Sequence, residues 1–190
     1  MNRRDALSRV ALLFGGTVIG AEAFLTGCRT KSAETAALTF DADVISLLDE
    51  VGETILPTTP SSPGAKTAAI GEFMKVIVTD CYEEEDQEIF MKGIGLLNEA
   101  ADEKWDKIFM ELSGQEKHDL LVEIDTEAKS YNDSKQNSDP NHYFTMMKQL
   151  TLWGYFTSEV GATQALRYLP VPGRYEGCID YKKGDKAWAT

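Results

Sequence analysis

Apolar residues return every three or four positions in five stretches of the chain, the spacing of helices that turn one face to a core. The first carries Val44, Leu47, Leu48, Val51 and Ile55; Thr39 is placed to cap it, Asp41 and Asp43 bring negative charge to its first turn, and Leu56-Pro57 stops it. The second carries Ile70, Phe73, Met74, Ile77 and Cys81. The third begins in the acidic run Glu83 to Asp86 and is predicted to bury Ile89, Phe90, Gly93, Leu96, Leu97, Ala101 and Trp105. Ser113-Gly114-Gln115-Glu116 is a capping box, hydroxyl and carboxylate each satisfying a free backbone donor, and it opens a fourth helix with Leu120, Leu121 and Ile124. The fifth runs from Asn141 to about Ser158, after Asp139-Pro140, a cap followed by a first-turn proline.

The fifth stretch is the most aromatic, with Tyr143, Phe144, Met146, Met147, Leu150, Trp153, Tyr155 and Phe156 on more than one face. Such a helix is either central to a bundle or half core and half interface. Between the helices, Pro57, Pro60, Pro63 and Gly64 exclude helix and central strand, leaving an ordered surface loop or a segment laid against something. Tyr131 to Ser138 is polar and aperiodic and reads as a loop. From Gly161 onward the chain changes character: Tyr168-Leu169-Pro170-Val171-Pro172-Gly173-Arg174-Tyr175 forbids helix and shows little strand alternation. An extended tail rich in Tyr, Trp and Pro loses less entropy on a surface, either its own domain's or a partner's. The expected fold is all-α, a small bundle of about five to six helices with an extended C-terminal tail rich in proline and aromatics.

The first 28 residues follow a different rule. Arg3, Arg4 and Arg9 precede an apolar segment, Val10 to Ala21, that ends on Leu25-Thr26-Gly27-Cys28. Charge, then hydrophobicity, then small residues is the order of an export signal, and the segment is well short of the roughly 20 residues of a membrane span. Arg3-Arg4 with Leu7 resembles a twin-arginine (Tat) signal, although Ala6 and Ser8 stand where that pattern prefers Phe and Lys. Leu25-Thr26-Gly27-Cys28 resembles a lipoprotein box, in which Cys28 is lipidated and becomes the first mature residue. Residues 1–27 are then a cleaved signal, 28–38 a polar tether, and 39–190 a single helical domain, exported and lipid-anchored on the periplasmic side of a membrane.

Composition narrows the partners. The chain carries net −12, and without its leader, where three Arg outweigh Asp5 and Glu22 by one, it carries −13. That acidity repels nucleic acid and anionic lipid surfaces. With Cys28 taken by lipid, Cys81 and Cys178 remain as one pair in an oxidising compartment, a candidate disulfide; two buried free thiols are the alternative.

Candidate chemistry is sparse. No convincing βαβ unit, G-x-G-x-x-G or P-loop points to a nucleotide, and C-x-x-C-H is absent. A di-iron bundle needs paired E-x-x-H motifs, whereas His118 and His142 are the only histidines and both read as surface residues. The acidic run at Glu83 is better explained by the helix dipole than by a cation, and no nucleophile elbow surrounds a serine. The pattern supplies no catalytic, cofactor-binding or metal-ligating set.

Val44 to Leu56-Pro57, the long third helix, Phe144 to Gly154-Tyr155-Phe156-Thr157-Ser158-Glu159-Val160-Gly161, and Tyr168-Leu169-Pro170-Val171-Pro172-Gly173 with Cys178 together resemble the small subunit, subunit 3, of membrane-bound gluconate 2-dehydrogenase. The resemblance implies a non-catalytic partner of a large FAD-carrying flavoprotein of the glucose-methanol-choline type that oxidises a sugar, sugar acid or polyol, in complexes that often include a cytochrome c. It further implies that the small subunit's signal takes the folded, FAD-loaded flavoprotein through the Tat translocase. Here the lipoprotein box would anchor the complex through Cys28 rather than through a cytochrome. The expected partner interface is Trp153, Tyr155 and Phe156 with Tyr168, Pro170, Pro172 and Tyr175. The competing function is a stand-alone envelope lipoprotein whose aromatics bind carbohydrate or another envelope component.

Overall fold

The computed structural model of the protein describes residues 39–171, 173–174 and 177–189. Arg3, Arg4, Cys28, Pro172 and Tyr175 lie outside the described residues. Five α-helices follow one another: α1 (Ala42–Ile55), α2 (Ile70–Cys81), α3 (Glu84–Trp105), α4 (Gly114–Ser134) and α5 (Tyr143–Thr157). Among the described residues there is no strand, only two isolated bridges, so the fold is all-α as the periodicity predicts.

The acidic residues of α1 hold its neighbours in place. Asp41, two residues beyond the predicted Thr39, is the N-cap and accepts from the Val44 amide at 2.8 Å. Asp49 accepts from the Gly71 amide at 2.8 Å, supplying from a neighbouring helix the acceptor that α2 lacks at its own start, where Ala69 is left-handed (φ 51°). Gly71 is required there, because a Cβ would sit 2.4 Å from the Ile45 carbonyl oxygen. Glu53 takes the amide and hydroxyl of Thr58, both at 2.8 Å, and the Lys66 amide at 3.0 Å, which orders the proline loop between α1 and α2. Glu50 reaches Lys117 of α4 at 2.8 Å and Lys66 at 3.0 Å. The Lys117 bond is the main reason its carboxyl is held below the usual range; burial opposes this and Lys66 adds to it.

Gln87 caps the end of α2 by donating its amide to the carbonyls of Val78, Thr79 and Tyr82. Glu84, Glu85 and Asp86 occupy the first turn of α3, where the dipole favours them. Its buried face is Phe90, Gly93, Ile94, Leu97 and Ala101; Ile94 stands where Leu96 was expected, and Leu96 faces outward. The difference is one of phase, since Leu96 and Ile94 lie about 160° apart around a helix and only packing selects between them. The capping box is present: Ser113 Oγ accepts from Glu116 N at 3.3 Å, and Glu116 accepts from Ser113 N at 2.7 Å.

Two boundaries depart from the pattern. The polar residues Tyr131 to Ser134, expected in a loop, continue α4, because the next turn gives them partners: Tyr131 donates to the Pro140 carbonyl at 3.2 Å and Asn132 to Thr145 Oγ1 at 2.8 Å. Asp139 is not the cap of α5. It accepts from Gln136 N and closes the preceding turn, and His142 Nδ1 caps the helix by accepting from Phe144 N at 3.2 Å. Burial lowers the pKa of His142 and nearby Glu127 opposes that, so the neutral ring that the cap needs is favoured.

Helix α5 packs against all four others and is the centre of the bundle. Phe144, Met147, Leu150 and Thr151 are fully or almost fully enclosed, with Leu48, Val51, Ile70, Met74, Phe90 and Leu97 around them.

Candidate functional site

The end of α5 is where the core gives way to an exposed aromatic edge, and the segment Gly154 to Ser158 builds that junction. Gly154 lies against α2, where a Cβ would come within 2.5 Å of the Phe73 ring. Phe73 can therefore pack close against the helix, and Trp153 meets it edge-on, with centroids 5.3 Å apart at 86°. Trp153 nevertheless stays 53% exposed. Tyr155 points the other way. Its hydroxyl donates to the Pro63 carbonyl at 2.5 Å and lies 2.8 Å from Ser62 Oγ, pinning the proline loop to α5.

Tyr155 is only 3% exposed and so belongs to the interior, not to the surface on which it was expected. The physical reason is its hydroxyl, which satisfies a loop carbonyl that proline-rich sequence leaves without a helical or sheet partner. Phe156, 39% exposed, packs edge-on to Tyr155 at 5.2 Å. Thr157 donates back to the Trp153 carbonyl and Ser158 to the Tyr155 carbonyl, both at 2.7 Å, which ends the helix.

The exposed set at this end is Leu152, Trp153 and Phe156, within one turn of each other, with Val76 one turn from Phe73 on α2. Leu152 and Val76 were missed in the sequence. Both sit within apolar runs, and which side of a run faces outward is decided by the neighbouring helices. Helix α5 is thus central along its length and exposed at its last turn.

Beyond α5, a π-helical turn (Gly161–Ala165) leads into a tail that closes on itself. Arg167 N donates to the Ala187 carbonyl and Ala189 N to the Arg167 carbonyl, each at 2.9 Å, while the Arg167 guanidinium lies over Trp188 at 4.2 Å. Tyr168, Pro170 and Val171 leave this closure exposed. Cys81, at the end of α2, and Cys178, in the tail, are both unbonded and exposed. His118 is exposed on α4, and among the described residues no group of three or more His, Cys, Asp or Glu is placed to hold a metal ion. No described helix is long and apolar enough to cross a membrane.

Residues 42–173, from the start of α1 through the proline segment of the tail, match the family model for gluconate 2-dehydrogenase subunit 3. The chain belongs to the gluconate 2-dehydrogenase subunit 3 family. The matched span covers all five helices and the aromatic edge. The family name is that of a subunit of a dehydrogenase complex, which suggests an accessory role. No curated protein and no solved structure matches the chain.

Proposed function

We propose that this protein is a non-catalytic accessory subunit of a membrane-associated, FAD-dependent dehydrogenase of the glucose-methanol-choline type acting on a sugar, sugar acid or polyol. In this reading it escorts its folded flavoprotein through Tat export by Arg3 and Arg4, stabilises it, and tethers it through lipid on Cys28. FAD belongs to the partner, and no cofactor is assigned to this chain. The observation that carries the reading is an exposed aromatic edge, Trp153 and Phe156, on the most central helix of a subunit 3 fold. Large aromatics rigidly backed by a core are the side chains that anchor protein interfaces. Tyr168 and Pro170 extend the same surface chemistry into the tail, whereas Tyr155 is committed to the Pro63 loop.

Purification of the full chain through a C-terminal tag in mild detergent is expected to bring down a yellow flavoprotein. Trp153→Ala with Phe156→Ala should lower the recovered flavin at least about tenfold while far-UV circular dichroism stays unchanged. Recovery of no flavoprotein from wild type overturns the accessory reading, and sugar binding by the isolated chain would replace it with the stand-alone lipoprotein. Arg3→Lys with Arg4→Lys should leave both proteins in the cytoplasm; a partner exported normally would remove the escort role.

A further inference from the structure

Away from the aromatic edge, α3 and α4 do not close on one another. A groove runs between them in two connected parts of about 450 and 330 Å³, which share Ala100, Glu103, Ile124 and Glu127. Its floor is apolar, with Ile89 and Leu96 from α3 beside the shared Ala100 and Ile124, and with Tyr143 closing one end. Its walls carry four glutamates against two lysines, Lys92 and Lys104. Glu99 and Glu103 stand one turn apart on α3, and Glu123 and Glu127 one turn apart on α4. Lys104 neutralises Glu123 at 2.5 Å, but among the described residues no cation forms an ion pair with Glu99, Glu103 or Glu127.

We infer that this groove docks a basic amphipathic helix of a partner protein. The argument has three parts. From Ile89 to Glu103 the groove is about 20 Å long, which accommodates a helix of about 14 residues. Its long walls are helices whose backbone groups are already paired, with only Pro140 to His142 of a turn at one end, so an extended peptide would find no edge to add to and would lose its own hydrogen bonds, whereas a helix satisfies its backbone internally. The carboxylates repeat at one helical turn, matching Lys or Arg placed four apart on either flank of an apolar stripe. A second copy of this chain is disfavoured as occupant, since two chains of net −12 repel each other.

The inference is independent of the dehydrogenase reading and is tested without any dehydrogenase. The probe is a 14-residue stapled helix with Leu along one stripe and Lys four apart on both flanks, titrated against the full chain by fluorescence anisotropy. A matched peptide with Glu for every Lys is the control. The Lys peptide should bind, lose affinity as salt rises, and protect α3 and α4 in hydrogen exchange. Glu99→Lys with Glu103→Lys, both at exposed positions, should weaken it about tenfold. Trp153→Ala should leave it unchanged. Equal binding of the two peptides, no binding of the Lys peptide, protection elsewhere, an affinity unmoved by the charge reversals, or concentration-dependent self-association through these helices would each overturn the inference.

Discussion

Glu50→Gln tests whether the acidic face of α1 is solvated or structural. In the wild type, Glu50 joins α1 to Lys117 of α4 and to Lys66 of the loop, at 2.8 and 3.0 Å. The Lys117 side chain is only 10% exposed and its ammonium lies 5.8 Å from the Phe109 ring, so it cannot fully rehydrate when its partner loses charge. The amide retains one acceptor, which limits the loss, and the Lys66 contact is exposed and contributes little. A cost of about 2 kcal/mol follows, a fall in Tm of roughly 4–8 °C for a domain of this size. Lys117→Met, which replaces the cation with an apolar chain against Phe109, should cost less than about 1 kcal/mol, and the double variant should be more stable than the two losses summed by about 1 kcal/mol.

The sign of the pH dependence is fixed by the same contact. Glu50 has a folded pKa below its ordinary 4.5, so its contribution is complete above that value and is lost as pH falls through the folded one. Thermal unfolding followed by far-UV circular dichroism at pH 7 and at steps below 4.5 should show wild type and Glu50→Gln converging in acid. A variant as stable as wild type at pH 7, a gap that ignores pH, or strict additivity with Lys117→Met would refute the structural role.

Three further substitutions probe other joints. His142 has a lowered pKa in the fold, so stability should fall as pH drops below about 6.5 and the unfolded chain takes up the proton more readily. His142→Asn keeps a good cap and should flatten that slope in a denaturation series from pH 8 to 5. Tyr155→Phe removes one of two hydroxyls that donate to the Pro63 carbonyl and should cost about 1 kcal/mol by urea denaturation, because Ser62 Oγ, donating at 3.2 Å, keeps that carbonyl paired. Gly154→Ala drives a methyl into Phe73 and should cost about 1–3 kcal/mol, with a change in Trp153 fluorescence reporting the disturbed pair.

The sequence alone determined that this is a helical protein, where its helices lie, and what kind of family it resembles. Helical periodicity and caps are local properties, so Leu47, Leu48 and Val51 on α1 and the Ser113–Glu116 box could be read directly and are found as expected. The Gly154 to Ser158 segment could be recognised but not explained. Burial depends on which neighbour arrives, and the same apolar run supplied Phe144 to the core and Trp153 to the surface. Likewise Asp49, Glu50 and Glu53 look like a solvated acidic face until α2, α4 and the proline loop bring Gly71, Lys117 and Thr58 to them. Only the tertiary structure could turn Tyr155 from an exposed aromatic into the pin of a loop 92 residues earlier, because a hydrogen bond across that separation leaves no period in the sequence.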